Sequence, residues 1–169
     1  LMGGKVGVKS APGKGSTFWI ELQQCKSQLD LIQKEATLSQ HTAIHNQEGV
    51  VLYIEDNMPN IELVQEIIDT KRKGIKLVIH MRGNGALEKA IEVKPSLILL
   101  DLNLPDKHGN DILLELKGNE ETKEIPVIVI SADAMPNQVS ILKASGATNY
   151  LTKPIEIKSF LAAVDEIIK

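Results

Sequence analysis

The residues of this sequence that could carry out chemistry stand at the ends of apolar runs. The run "LILLD", residues 97–101, has four aliphatic residues and ends on the carboxylate of Asp101. A continuous aliphatic run of this kind is typical of a strand buried on both faces, as in parallel sheets covered by helices. The charge then lies at the carboxyl end of the strand, which is the edge where open α/β sheets bind ligands.

Other polar residues follow apolar runs in the same way, namely Glu55, Asp56, Ser131 and Lys153. Because parallel strands bring their carboxyl ends to one edge, we expect these side chains to meet Asp101 there. Carboxylates brought close together repel one another and need a compensating cation, and hard oxygen ligands with room for water suit Mg²⁺. A lysine and a hydroxyl facing the same point can hold phosphoryl oxygens. Asp101 is therefore a candidate nucleophile that forms an acyl phosphate.

Alternating apolar and helical patterns after residue 49 supply the sheet that this edge requires. Strands are predicted at 50–55, 76–81, 97–101, 126–131 and 149–151. Helical spacing recurs from Pro59 onward and over 86–93, 111–116, 136–144 and 157–168. This order predicts an α/β fold with right-handed crossovers and a five-stranded parallel sheet that has helices on both faces. The second strand contains His80 and is the least apolar, so we expect it at an edge of the sheet.

The composition fits an aliphatic core and argues against several functional classes. Hydrophobic residues make up 43% of the sequence, aromatic residues make up 3%, and the formal net charge is -3. These values indicate neither a basic surface that would bind nucleic acid nor an obvious attraction to a membrane. The single cysteine, Cys25, excludes an intrachain disulfide, and neither a long apolar run nor a signal-peptide core is present. We expect a soluble, cytoplasmic chain.

Three segments differ in composition. Residues 1–24 are glycine-rich and then apolar, residues 25–49 are polar and read as a linker, and residues 50–169 carry the alternating pattern. His41 and His45 could share a helical face and bind a metal, but in a polar linker solvated side chains are the favoured interpretation. Cys25 is most simply an unreactive thiol.

Residues 50–169 resemble the receiver domain of two-component response regulators. The resemblance is carried by "LYIEDN", "LILLDLNLPDKHG", "VIVISADAMP" and "YLTKP", in that order and at the spacing of the family. It implies a flavodoxin-like, doubly wound (βα)5 fold and transfer of a phosphoryl group from a phosphohistidine to Asp101. A histidine kinase domain or a histidine phosphotransfer protein would be the partner.

The same resemblance implies a role for each residue at the edge of the sheet. Asp56, Asp101 and the backbone carbonyl of Asn103 would bind Mg²⁺, and Glu55 would act through a metal-bound water. Ser131 and Lys153 would contact the phosphoryl oxygens, and Tyr150 would be the aromatic switch. Ala132 is small, as access to the aspartate requires, and Pro154 matches a proline that usually follows a cis peptide bond.

Two positions depart from the pattern of the family. Glu55 stands where an aspartate is most common, so its carboxylate lies one methylene farther from the backbone. His108 precedes Gly109 where an acid is common. Neither change touches the proposed nucleophile.

Residues 1–24 resemble the carboxyl end of a histidine-kinase ATP-binding domain. Gly13 and Gly15 would belong to the floor of the nucleotide pocket, and "TFWIEL" would be the closing strand. The boxes that supply the other nucleotide contacts are absent, so we expect neither tight ATP binding nor autophosphorylation. The chain therefore reads as the carboxyl-terminal part of a hybrid sensor kinase, whose parent protein could be anchored in a membrane through other segments.

Two functions from other classes remain open. A haloacid-dehalogenase-type hydrolase also uses a strand-end aspartate with Mg²⁺, but it has a general acid two residues later, where this chain has Asn103. A pseudo-receiver would be a binding module that never carries phosphate. Tyr150 could also serve packing alone.

Overall fold

The computed structural model describes residues 5–11, 15–21, 48–132 and 136–169, with the backbone alone for 136–138. The chain divides into two compact units, one within residues 1–38 and the other within residues 39–169. Residues 25–47 of the predicted linker, with Cys25, His41 and His45, lie outside the described residues, as does Gly13.

The first unit contains an antiparallel hairpin of β1 (Lys5–Ala11) and β2 (Gly15–Glu21). Gly15 opens β2 with a φ of 78°, which glycine adopts without strain. Cross-strand partners share a face, so the pairs Val6–Ile20 and Val8–Phe18 lie on one face. All four of these apolar side chains are exposed.

The second unit alternates strands and helices along the chain. Its strands are β3 (Gly49–Ile54), β4 (Ile75–His80), β5 (Leu97–Asp101), β6 (Val127–Ser131) and β7 (Asn149–Thr152). Its helices are α1 (Met58–Lys71), α2 (Ala86–Val93), α3 (Gly109–Gly118), α4 (Pro136–Ala144) and α5 (Ile157–Ile167). The order of elements is the one that the sequence predicts, and most bounds agree to within about two residues.

The strands of the second unit form one parallel sheet in the order β4-β3-β5-β6-β7. The predicted α/β fold is confirmed, and β4 lies at an edge as expected. None of the helices in the described parts of the chain combines the length and the apolar character that crossing a membrane would require.

Both faces of the sheet are buried. One apolar cluster takes alternate residues of β3, β5 and β6 and side chains of α2, α3 and α4. Period-2 alternation places the intervening buried residues, such as Tyr53 and Leu99, on the opposite face. The buried side chains of α1 and α5 lie outside that cluster, and Arg72 just after α1 forms an ion pair with Asp165 of α5. These two helices therefore share the face of Tyr53, and the sheet is doubly wound.

Helix α3 begins two residues earlier than predicted, because His108 caps it and Gly109 allows close packing. The His108 ring accepts a hydrogen bond from the backbone N–H of Asn110. A Cβ atom at Gly109 would lie 2.6 Å from the carbonyl oxygen of Asp101 and 2.6 Å from the Cα of Leu102. The helix can approach the end of β5 this closely only because residue 109 lacks a side chain.

This contact predicts that Gly109→Ala lowers the free energy of unfolding by about 2 kcal/mol, the usual cost of overpacking. Gly118→Ala, at the other end of α3, is the matched control, because a Cβ there meets nothing within 4 Å. The control should leave stability unchanged or raise it, since alanine favours helix. Urea denaturation of both variants measures the difference, and equal stabilities would contradict the close-packing argument.

Candidate functional site

The register of the sheet brings Glu55 and Asp101 together. In the ladder between β3 and β5, Tyr53 pairs with Leu99 and Ile54 pairs with Leu100. The next step along both strands aligns Glu55 with Asp101, and the alternation of side chains places both on the face of Tyr53. The backbone N–H of Glu55 continues the pairing on the other side by donating to the carbonyl of His80 at 3.1 Å.

An acidic cluster therefore forms at the carboxyl edge of the sheet, as predicted. One carboxylate oxygen from each of Glu55, Asp56 and Asp101 lies within 4.8 Å of the others. Glu55 and Asp101 are buried, with 0% and 2% of their surface exposed, while Asp56 is intermediate. Such a set of hard oxygen donors has the chemistry and the spacing that a divalent cation requires.

Lys153 supplies the positive charge within this cluster. Strand β7 pairs with β6 up to Ser131 and Thr152, and the N–H of Lys153 then donates to the carbonyl of Ser131 at 2.8 Å. The ammonium lies 2.8 Å from Glu55 Oε2 and 3.0 Å from Asp101 Oδ2. A single ammonium thus bridges the ends of β3 and β5, and three nearby carboxylates leave the cluster with an excess of negative charge.

The Glu55 carboxylate accepts hydrogen bonds on both oxygens. Oε2 accepts from the Tyr53 hydroxyl at 2.9 Å as well as from Lys153, and Oε1 accepts from the backbone N–H of Asn57 at 3.2 Å. Protein donors therefore contact both oxygens of this carboxylate. The phenol of Tyr53 was not anticipated from the sequence.

Burial and charge shift the ionisation of the groups in this cluster. Burial, together with the Glu55 charge, raises the pKa of Asp101, although the hydrogen bond from Lys153 opposes the rise. Burial alone would lower the pKa of Lys153, but its hydrogen bonds to Glu55 and Asp101 outweigh that effect and raise the pKa. Burial and the Glu55 charge likewise raise the pKa of Tyr53, which keeps the phenol protonated as a donor.

The loop after β5 is held in place by Asp106, a second contact that sequence reasoning missed. The carboxylate of Asp106 accepts from the backbone N–H groups of Gly83 at 2.8 Å and Asn84 at 2.9 Å, and these bonds lower its pKa. Asn103, earlier in the same loop, donates its N–H to Asp101 Oδ1 at 3.3 Å and forms a bridge with His108. The loops after β4 and β5 are therefore tied to each other beside Asp101.

The remaining predicted residues lie along the same edge of the sheet or beside it. Ser131 is buried at the end of β6, and Ala132 after it is exposed. Tyr150 in β7 is partly buried against the apolar cluster and lines a cavity of 220 Å³ with Ile155 and other residues near the start of α5. The peptide bond between Lys153 and Pro154 is cis, as the resemblance implied.

Comparisons with known proteins agree with this architecture. The family model for the response regulator receiver domain matches residues 51–165. The polar-differentiation response regulator DivK of Brucella anthropi is 32% identical over 114 residues, which cover 68% of this chain and 91% of DivK.

Solved structures with the same fold include two receivers. The Mn²⁺-bound form of response regulator Rcp1 has 34% identity and a TM-score of 0.60, and the match covers 70% of this chain and 91% of Rcp1. The receiver domain of a signal transduction histidine kinase from Syntrophus aciditrophicus has 25% identity and a TM-score of 0.63, covering 70% of this chain and 89% of that one. The flavodoxin-like fold is thereby confirmed.

The excess negative charge predicts that Asp101→Asn raises the free energy of unfolding of the metal-free protein at neutral pH. A raised pKa means that the folded state favours the protonated carboxyl. The stability that the protonated Asp101 carboxyl contributes is present at low pH and is lost as the pH rises through the pKa of the folded state. The gain in stability from Asp101→Asn is therefore largest near pH 7 and vanishes in acid. The gain arises because ionisation of a carboxyl with a raised pKa lowers the stability of the folded state, and asparagine cannot ionise.

Urea denaturation in the presence of a chelator, repeated from acid to neutral pH, measures this gain. Glu62→Gln is the control, because it neutralises an exposed acid of α1 outside the cluster. A loss of stability in Asp101→Asn at neutral pH would show that the Lys153 pairing outweighs the burial and repulsion.

Proposed function

We propose, from the premise that this chain belongs to the response regulator receiver domain family, that Asp101 accepts a phosphoryl group from a phosphohistidine in a two-component phosphorelay. The observation that carries this proposal is the placement of Lys153 between Glu55 and Asp101, with Asp56 beside them. A buried carboxylate with an ammonium and further acids around it is equipped for phosphoryl transfer and has no obvious structural purpose.

The proposed reaction uses an oxygen of Asp101 as the nucleophile. It attacks phosphorus and forms a P–O bond while the P–N bond to the histidine breaks. The imidazole leaves with the electron pair of that bond and with a proton from solvent. Lys153 stabilises the charge of the transferring oxygens, and we assign the Ser131 hydroxyl to the same task.

A divalent cation fits the donor set of this cluster. Asp56, Asp101 and the backbone carbonyl of Asn103 would hold Mg²⁺, with Glu55 outside its ligand shell and linked through water. The support is the spacing of the carboxylates and the excess negative charge, together with the Mn²⁺ bound by the related Rcp1. When bound, the cation would neutralise charge on the phosphoryl oxygens.

The alternatives weighed from the sequence are less well supported. A hydrolase of the haloacid-dehalogenase type needs an acid two residues after its nucleophile, and this position is Asn103. A pseudo-receiver would have no need to keep Asp56, Asp101 and Lys153 clustered against the repulsion between the acids.

Phosphorylation of Asp101 is expected without any partner. Incubation with Mg²⁺ and acetyl phosphate should add one phosphoryl mass to the intact protein, because the small acyl phosphate reaches the same nucleophile. The adduct should be absent in Asp101→Asn and retained in Glu62→Gln, which removes an exposed acid elsewhere. An adduct in Asp101→Asn at the site used by the unmodified chain would refute the assignment.

We further propose that phosphorylation changes the surface formed by Tyr150, α4 and α5. A phosphoryl group carries a charge of about -2 at neutral pH and offers strong acceptor oxygens, so it draws in the Ser131 hydroxyl and the Lys153 ammonium. Tyr150 lies three residues before Lys153, is partly buried, and lines the cavity near the start of α5. A change of its rotamer would repack that surface, where partners would bind.

Nuclear magnetic resonance with and without beryllofluoride, a stable phosphoryl mimic, tests this switch. We expect shifts at Tyr150 and along α4, because the ammonium and the hydroxyl move toward the mimic. Asp101→Asn, which cannot bind the mimic covalently, is the control. Shifts confined to the residues around Asp101 would leave a phosphate carrier without a switch.

The parent protein is proposed to be a hybrid sensor histidine kinase. We assign residues 1–24 to the end of its ATP-binding domain, 25–49 to a linker and 50–169 to the receiver. The hairpin supports this, since a two-stranded hairpin with an exposed apolar face is marginally stable alone and fits a larger domain that covers it. The reading frame upstream of Leu1 tests the proposal, because it should encode the missing nucleotide-binding motifs.

A further inference from the structure

Tyr53 is an unexpected residue in an otherwise aliphatic strand. It lies in β3 between Leu52 and Ile54 and is fully buried. A buried phenol must find a hydrogen-bond partner, whereas an aliphatic residue or a phenylalanine would fill the strand position without that requirement. The partner in this structure is Glu55 Oε2, at 2.9 Å. The hydroxyl therefore serves the acidic cluster and not the apolar packing.

Glu55 is the residue at which such support is needed. A glutamate side chain has one more rotatable bond than an aspartate, so a fixed position for its carboxylate requires more contacts. The contacts come from different directions: the phenol approaches along β3, the ammonium of Lys153 comes from the end of β7, and the N–H of Asn57 comes from the loop before α1. Tyr53 is the one of these donors that neither belongs to the backbone nor bonds Asp101.

We propose that the Tyr53 hydroxyl is a positioning group that holds the Glu55 carboxylate, and through it the Lys153 ammonium, where phosphoryl transfer to Asp101 requires them. The inference rests on the proposed function of Asp101. In this arrangement Tyr53 allows a glutamate to function at position 55, because the hydrogen bond from the phenol restricts the additional rotatable bond of the glutamate side chain. The residue touches neither the phosphoryl group nor the cation and acts through Glu55 alone.

This role predicts that the effect of removing the hydroxyl depends on residue 55. Tyr53→Phe keeps the buried ring and removes only the donor. Glu55→Asp shortens the side chain by one methylene and so moves the carboxylate away from the phenol. In that background, removing the hydroxyl should break no hydrogen bond to residue 55. A residue that only fills the core would show the same effect in both backgrounds.

The test compares four proteins: the unmodified chain, Tyr53→Phe, Glu55→Asp and the double variant. Calorimetry gives the Mg²⁺ dissociation constant, and intact mass against time gives the rate of phosphorylation by acetyl phosphate. We expect Tyr53→Phe to weaken Mg²⁺ binding and slow phosphorylation about tenfold, as loss of an outer-shell partner usually does. In the Glu55→Asp background the same substitution should change either quantity by less than about twofold.

A metal-free measurement isolates the positioning itself. With a chelator present, we follow the carboxyl-carbon resonance of residue 55 and the side-chain ammonium resonance of Lys153. Both should shift between the unmodified chain and Tyr53→Phe. Neither should shift between Glu55→Asp and the double variant. If Tyr53→Phe did not fold, the Tyr53 hydroxyl proton would supply the test, since its resonance should differ between the unmodified chain and Glu55→Asp.

Equal effects of Tyr53→Phe in the two backgrounds, or none in either, would overturn the positioning role. Failure of the unmodified chain to take up phosphate at Asp101 would instead overturn the proposed function. The Mg²⁺ and metal-free measurements would then still decide whether Tyr53 positions Glu55.

Discussion

The site depends on one interaction, the ammonium of Lys153 held between Glu55 and Asp101. Parallel pairing brings the carboxyl ends of β3, β5 and β6 to one edge, and without a cation there the buried acids would repel one another. Lys153 reaches that position because β7 pairs with β6 as far as Thr152, and the Lys153 N–H continues the pairing by donating to the carbonyl of Ser131. The chain just after β7 thus provides the positive charge that the acids at the ends of β3 and β5 require.

The compensation of negative charge in the cluster is incomplete. The Lys153 ammonium pairs with two of the three clustered carboxylates, those of Glu55 and Asp101, and burial raises the pKa of Asp101 despite the hydrogen bond from Lys153. The fold therefore carries a local electrostatic cost that a bound cation would relieve.

Much of this arrangement could be predicted because it follows from local patterns. The aliphatic runs identify the strands, His80 marks the edge strand, and the polar residues after the runs identify the edge where the site lies. The register of the sheet is harder to predict from the sequence. Acids at the carboxyl ends of neighbouring strands nevertheless meet in any register that aligns those ends. The motifs quoted from residues 50–169 led to the family that the comparisons confirm.

The contacts that were missed depend on side-chain reach across loops and along a strand. Asp106 holds the backbone of Gly83 and Asn84, about twenty residues away in the sequence, and no periodicity reports such a contact. The early start of α3 depends on the space around Gly109 beside Asp101, which only the folded chain defines. Tyr53 could have been noticed, since a buried phenol requires a hydrogen-bond partner and Glu55 lies two residues along the same face of the strand.

Sharing the ammonium also explains why Glu55 needs donors of its own. A phosphoryl group on Asp101 would compete for Lys153 with a larger negative charge than the aspartate has. As the ammonium moves toward it, Glu55 Oε2 would lose its strongest partner inside a site where no part of Glu55 is exposed. The Tyr53 hydroxyl and the Asn57 N–H, which donate to this carboxylate in the present structure, would then remain as its donors. The same phenol that holds Glu55 before the transfer would thus lower the cost of releasing Lys153 during it.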